Sequence, residues 1–509
     1  MVIVHLFSAM SRNCRQGRTS IQLSSYPQLF GGIRPPNQDG SPIKDVGNDG
    51  EDDSHSRLRE DKLCGNEDVN AMRRCIVTYG LVLVLVVGLC TWAVAGNIVG
   101  AAAASDEDQA LRSLVRAYVQ ESSGQSLDEL LTQILNHPDA NFQSVEAAIH
   151  AVPQFGKAPV GAQPRRSIVV RGRNAEYSLY VPPSYSPEQS YPLIVCLHGA
   201  GFTGQAYLSR WVPRLEDRYI LACPTISMGA WWTRFGEDLT LAVLRAVSTE
   251  YHIDPDRIFL TGMSNGGVGA WIIGMHHADV FAGIAPMASG IDDVLFPFVG
   301  NLANTPVYVI HGAEDRIMPV QLSHDLVKEM ERLGIQYHYR EHHWTHPHAG
   351  GHFFPRQELP DLIAWFDEQK RERLPRQVSV VRDATHLTPL YWARLDTTEQ
   401  IAAFTENLID SRDEYITGGI YAKLDASIES LNSIVVNTER VRRYTLFLND
   451  TLVDFSQPIV VKTNGKTSFE GMLEPSIETM LQEARHRADM LVLFSAKLTI
   501  DVPVFLQMK

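Results

Sequence analysis

Short, mainly apolar runs, most of them closed by a turn with glycine or proline, mark the middle of this chain. They occur at Leu193–Leu197, Tyr219–Cys223, Arg257–Thr261, Ala282–Met287 and Pro306–Ile310, and a more polar β-type run follows at Gln336–Arg340. Runs of this length, apolar on both sides of the pleat, predict buried parallel strands. Between them, Glu237–Val247 and Val268–Met275 carry helix-like patterns. Strand and helix patterns thus alternate from about residue 166 to 370, which predicts an α/β core with a mostly parallel sheet and helices on both faces.

The flanks read differently. Leu111, Leu114, Val115 and Tyr118, then Leu127, Leu130, Leu131 and Ile134, follow helical spacing, and Asp128 and Glu129 place acid in a first turn. A Pro/Gly-containing linker, Pro153 to Pro164, follows. Beyond Arg371 short β-type runs recur at Gln377–Val381, Leu390–Leu395, Ser433–Val436 and Tyr444–Leu448, with Asn464-Gly465 as a hairpin signal. Near the start, Cys75–Ala95 is free of charge and follows Met72-Arg73-Arg74. It is long enough to span a bilayer, since a helix needs about 20 apolar residues. A processed signal peptide ending near Ala93-Val94-Ala95 or the Ala101–Ala104 run is one reading, and an uncleaved anchor is the other. Residues 1–71 are polar and aperiodic, as in a disordered tail or a start codon placed too early. The expected map is therefore 1–71 tail, 72–104 signal or anchor, 105–164 helical lead, 165–371 catalytic domain and 372–509 β-rich C-terminal domain. Residues 105–509 are expected outside the cytoplasm, secreted or in the envelope, with membrane association through 75–95 if the segment is retained.

Composition narrows this a little. The 509 residues are 44% hydrophobic, enough for a sizeable core, and the net charge of −14 argues against a nucleic-acid partner. Six cysteines are too few for a disulfide scaffold, and Cys196 and Cys223 sit in apolar runs where a buried thiol is expected.

The chemistry lies at the ends of the predicted strands. The third run stops at Gly262-Met263-Ser264-Asn265-Gly266, a G-x-S-x-G sequence in strand–turn–helix context. Such a turn lifts the serine to the strand's carboxyl end, and the N–H of Asn265 faces the place where an oxyanion would form. The motif demands an acid after a later strand and then a histidine. His311-Gly312-Ala313-Glu314-Asp315 ends the 306–310 run, and Gly350-Gly351-His352 ends the following loop.

These elements resemble the α/β-hydrolase superfamily, and within it secreted serine esterases similar to polyhydroxybutyrate depolymerases, feruloyl esterases and the so-called predicted peptidases. The resemblance covers about residues 166–370. It implies Ser264 as nucleophile, His352 as general base and acid, Asp315 as the residue orienting the imidazole, and a second oxyanion donor from the backbone of Ala200 or Gly201. It implies no cofactor.

Competing assignments stand beside these. Glu314, Asp292 and Asp293 are alternative acids, and His346 and His348 alternative bases. The crowding of His342, His343, His346, His348 and His352 raises a metal site as a rival, although Pro347 and the glycines make the segment a loop without zinc-helix spacing; no metal is expected. His276 and His277 are expected at the surface or in packing. Trp231 and Trp232 are candidates for an aromatic wall of the cleft. Asn449-Asp450-Thr451 matches a glycosylation sequon that carries no weight alone. The expected function is hydrolysis of a small or polymeric carboxylic ester, with peptide-bond hydrolysis as the enzymatic alternative. A dead hydrolase core acting as an envelope or polysaccharide binding protein is the alternative of another class.

Overall fold

The computed structural model describes residues 106–120, 126–215, 217–384, 386–402, 420–487 and 489–502. The expectations for 1–71 and 72–104, including the apolar segment 75–95, lie outside the described residues. Within them no helix is long and apolar enough to cross a membrane.

The central sheet has eight strands: β1 (Gly161–Val170), β2 (Arg173–Val181), β3 (Tyr191–Leu197), β4 (Ile220–Thr225), β5 (Ile253–Met263), β6 (Gly283–Met287), β7 (Val307–Gly312) and β8 (Tyr337–His342). Their order across the sheet is β1-β2-β4-β3-β5-β6-β7-β8. β1 pairs with β2 and β2 with β4 antiparallel, and every pair from β4 to β8 is parallel. This is the α/β-hydrolase arrangement, as the resemblance implies.

Strand side chains alternate between the two faces, so one apolar run feeds two cores. Leu193, Val195 and Leu197 of β3 join one buried cluster, while Ile194 and Cys196 join the other. The first face is covered by α5 (Arg234–Glu250), α6 (Asn265–His276) and α7 (Gln321–Leu333); the second by α4 (Gly204–Trp211) and α8 (Leu359–Glu368). Cys196 and Cys223 are free and buried on that second face, where burial raises the Cys223 thiol pKa.

At the amino-terminal end, α1 (Asp106–Gln120), α2 (Leu127–Leu135) and α3 (Phe142–His150) do not stand alone. Leu111, Val115, Ile134 and Val145 share a buried cluster with Met480, Leu481 and Ala484 of α9 (Ile477–Arg487). The helical lead is thus closed by a helix more than 300 residues later in the chain. The region after Arg371 is β-rich. One sheet runs β15-β14-β12-β11-β9 and the other β10-β13-β16. The strands are β9 (Gln377–Arg382), β10 (Ala393–Thr398), β11 (Ala422–Ser430), β12 (Ser433–Glu439), β13 (Val441–Leu448), β14 (Ile459–Thr463), β15 (Lys466–Gly471) and β16 (Ala496–Asp501). Asn464 (φ 50°) and Gly465 (φ 78°) form the turn between β14 and β15, the left-handed pair that a two-residue hairpin needs. Val378, Val380, Leu424 and Leu446 belong to the same buried cluster as β3 and α5. The α/β core and the C-terminal sheets therefore share one apolar interior.

Candidate active site

Ser264 sits where β5 stops and α6 begins. Its backbone has φ 57° and ψ −122°, a region that a side-chain-bearing residue enters only when the surroundings impose it. The imposing features are visible. Ser264 N–H donates to Met287 O at 2.9 Å on the neighbouring strand. A Cβ on Gly266 would lie 2.0 Å from Leu197 O, and one on Gly262 would lie 2.3 Å from Gly266 O. Glycine at these two positions lets the turn close against β3.

The acid and the histidine are brought together by a second glycine packing. Gly350 has φ 59°, and a Cβ there would fall 1.9 Å from Glu314 O. Gly351 N–H donates to Glu314 O at 2.9 Å, and Gly351 packs directly on Gly312. The loop after β8 is thereby laid onto the turn after β7. His352 Nδ1 lies 2.7 Å from Asp315 Oδ2. An ionised carboxylate only accepts, so Nδ1 carries the proton, and the neutral ring keeps its lone pair on Nε2. Nε2 makes no hydrogen bond among the described residues. Asp315 Oδ1 accepts from the backbone N–H of Ile317 and Met318, both at 2.8 Å. Burial acts to raise the carboxyl pKa, but hydrogen bonds from His311 and His352, with a smaller contribution from the Met318 amide, outweigh it and hold it at about 2.

Asp315 has a second imidazole neighbour that sequence reasoning passed over. His311 Nε2 is 3.3 Å from Asp315 Oδ2 and 2.8 Å from Met318 O, while its Nδ1 is 2.7 Å from Ser323 Oγ. His311 is fully buried. The only signal for it was its place at the end of the β7 run, four residues before the aspartate. The alternative acids Glu314, Asp292 and Asp293 are exposed, as are His346 and His348.

The turn after β3 is clamped from three sides. His198 Nε2 accepts from Ile226 N–H at 3.1 Å, and His198 Nδ1 donates to Gly199 O at 2.8 Å. Burial lowers the pKa of this imidazole and keeps it neutral. Trp231 Nε1 donates to His198 O at 2.7 Å, with its ring edge-on to His198 at 5.1 Å. Trp231 is fully buried and packs against Gly269 of α6. The expected cleft wall is thus corrected: Trp231 supports the turn from beneath, because its indole N–H has found an acceptor in the backbone. Trp232 is half-buried and packs on the main core. Ala200 and Gly201 are exposed, and their N–H groups have no acceptor among the described residues.

His276 is buried in packing, as expected, and His277 is partly buried beside it. Both bond to the buried carboxylate of Glu237: His276 Nδ1 to Oε2 at 3.2 Å and His277 Nε2 to Oε1 at 2.7 Å. His386, from the loop after β9, places Nε2 3.0 Å from the same Oε2 and Nδ1 3.3 Å from Asp383. Ligand atoms of Glu237, His276 and His386 lie within 4.8 Å of one another. The His276 and His386 rings, however, are stacked 3.8 Å apart at 22°. Imidazole lone pairs lie in the ring plane, so two stacked rings cannot both aim at one ion. This group holds together as a hydrogen-bonded network. Burial lowers His386's pKa, but its bonds to Asp383 and Glu237 raise it to about 9, while burial and that neighbouring charge hold His276 near 4.

Residues 169–301 match the family described as "Putative esterase". Over 173 residues, 31% of this chain and 62% of the relative, the chain is 28% identical to "Probable feruloyl esterase C" of Aspergillus terreus. Over 154 residues, 28% of this chain and 56% of the relative, it is 27% identical to the protein of the same name from Aspergillus flavus. The chain thus spans about 60% of the length of these curated relatives. Among solved structures, a thermostable esterase aligns at 27% identity over 41% of this chain and 63% of its own, with a TM-score of 0.35.

Proposed function

We propose that this protein is a serine hydrolase that cleaves carboxylic esters through an acyl-enzyme on Ser264. The observation that carries the reading is the Asp315–His352 pair, oriented at the same sheet edge as a serine held in a strained strand-to-helix turn. Serine is a weak nucleophile until a base takes its proton as it attacks. In this reading His352 Nε2 takes that proton and later returns it to the leaving alcohol, and Asp315 fixes the tautomer and stabilises the imidazolium. The N–H groups of Asn265 and of Ala200 or Gly201 receive the developing oxyanion.

Phe202, Met228, Ile317 and Trp344 are 46%, 42%, 51% and 53% exposed. They stand in the loops after β3, β4, β7 and β8, at the sheet edge that bears Ser264. An apolar rim of this kind suits an ester with a bulky apolar or aromatic portion. The names of the Aspergillus relatives make feruloyl esters the first substrates to try. Export or envelope attachment belongs to the same reading and rests on the sequence of 72–104; N-terminal sequencing of native protein tests it. Activity is tested on a panel of p-nitrophenyl, acetyl, feruloyl and hydroxybutyrate esters together with short peptides. Hydrolysis of esters that disappears in Ser264→Ala supports the reading. Cleavage of peptides alone, or of nothing, overturns it.

A further inference from the structure

Tyr207 lies on the second turn of α4, beginning four residues after the capping Thr203. Its ring is buried, edge-on to Phe202 and to Phe354 at 5.9 and 5.5 Å, between the turn after β3 and the loop that carries His352. Its hydroxyl accepts from Gly199 N–H at 3.1 Å. A backbone amide only donates, so this bond occupies a lone pair of Oη and leaves the hydroxyl hydrogen unused. That hydrogen has no acceptor among the described residues. Buried phenol hydroxyls ordinarily find one.

The hydroxyl also lies on the same side of Gly199 as the turn that carries the nucleophile. A Cβ placed on Gly199 would lie 3.2 Å from Tyr207 Oη and 3.3 Å from Ser264 Cβ, so both atoms border one small space. From this convergence we propose that the Tyr207 hydroxyl is a donor to the oxyanion formed at Ser264, acting beside the Asn265 amide. The inference rests on the ester-hydrolase reading. It also gives the Gly199 amide a purpose: being bound to Oη, it polarises the phenol and strengthens its donation. Gly199 N–H itself is thereby withdrawn from the oxyanion.

The step balances without a co-reactant. Ser264 Oγ forms a bond to the ester carbonyl carbon, its proton passes to His352 Nε2, and the carbonyl π pair moves onto oxygen. That oxygen accepts hydrogen bonds from Tyr207 and from the backbone. Collapse restores the carbonyl and breaks the bond to the leaving alkoxide, which takes the proton from His352. Tyr207 keeps its proton throughout, and burial, by raising the phenol pKa far above its ordinary value, keeps it protonated at every working pH.

The test is Tyr207→Phe in the full chain, with p-nitrophenyl acetate as substrate. Loss of one oxyanion donor predicts a fall in kcat of about 10²–10³-fold, with KM unchanged within about threefold. Affinity for a phenylboronic acid, whose adduct with Ser264 is tetrahedral, should fall in step with kcat/KM. Affinity for the planar product acid should not. Unchanged kcat, or equal losses for boronate and product acid, overturns the proposal, the second outcome marking Tyr207 as a prop for Gly199. Should the Phe variant fail to fold, 3-fluorotyrosine at position 207 keeps ring and hydroxyl while making the donor more acidic. Boronate affinity should then change, and an unchanged value overturns the proposal. The two readings fail separately. Full activity in Ser264→Ala removes the hydrolase, whereas an inactive Ser264→Ala beside a fully active Tyr207→Phe removes only this role for Tyr207.

Discussion

Ser264, Asp315 and His352 stand out in the sequence as candidates because a sharp strand-to-helix turn leaves a glycine signature, and because chain order fixes where its partners would fall. What spacing could not reveal is how they are held: Gly350 and Gly351 packing on the 312–315 turn, and His311 as a second imidazole on Asp315. The first is a contact between segments about 35 residues apart, and the second depends on the ring orientation of a residue only four positions away. Trp231 was misplaced for the same kind of reason, since an aromatic in a loop reads alike whether it lines a cleft or supports its floor. Substitution at this scale has graded consequences. Ser264→Ala and His352→Ala should each lower kcat by about 10⁶-fold, and the triple variant should be little worse than either. Asp315→Asn should cost about 10⁴-fold. Because Asp315 stays ionised down to about pH 2, a loss of activity on acidification above that pH does not arise from its protonation. Gly266→Ala, whose Cβ would press on Leu197 O, should abolish soluble expression rather than selectively lower kcat, as read from soluble yield and far-UV circular dichroism.

Among the elements, the parallel strands β3 to β7 are legible to within a few residues, since strands buried on both faces leave mainly apolar runs, whereas β8 alternates polar, exposed positions with half-buried ones. The hairpin β1–β2, strands β11 and β16, and helix α9 were not singled out. β1 and β2 carry arginines on an exposed side, and α9 buries Thr479 and Glu483 on the face that packs, which blurs its apolar stripe. The network joining α5, α6 and the loop after β9 was hidden because Glu237 and His386 are 149 residues apart. It carries a pH signature. His386, raised to about 9 from an ordinary 6.5, adds stability that is complete below pH 6.5 and disappears as pH rises to 9. His276, held near 4, is neutral in the fold, so stability is also lost as pH falls from 6.5 towards 4. The Glu237 carboxyl, pushed far below its ordinary value by three histidines against the opposing effect of burial, adds to the acid-side loss below about pH 4.5. Thermal melts across pH 4–9 should therefore peak near pH 6–7, and Glu237→Gln, which removes one of the two carboxylates that raise His386, should flatten the alkaline limb. A variant with an unaltered pH–Tm curve would show that the network does not contribute as described.

For the molecule as a whole, division at residue 371 was a reasonable expectation from the change of pattern, yet the shared apolar cluster crosses it. Val378, Val380, Leu424 and Leu446 are buried with Leu193, Val195 and Leu239, and α9 closes the helices of residues 106–150. Cutting the chain after 371 would expose both surfaces, so the truncated protein should aggregate. Calorimetry of the intact described region should show one cooperative transition. Two well-separated transitions would mean that the C-terminal sheets fold independently of the core.

Ester hydrolysis by this protein depends first on Ser264 being the nucleophile. Labelling the intact protein with a fluorophosphonate and mapping the adduct by peptide mass spectrometry tests this directly. The expected result is a single adduct on the peptide containing Ser264, prevented by prior exposure to an ester substrate and absent in Ser264→Ala and strongly reduced in His352→Ala. An adduct elsewhere, or ester hydrolysis that persists undiminished in Ser264→Ala, would contradict it.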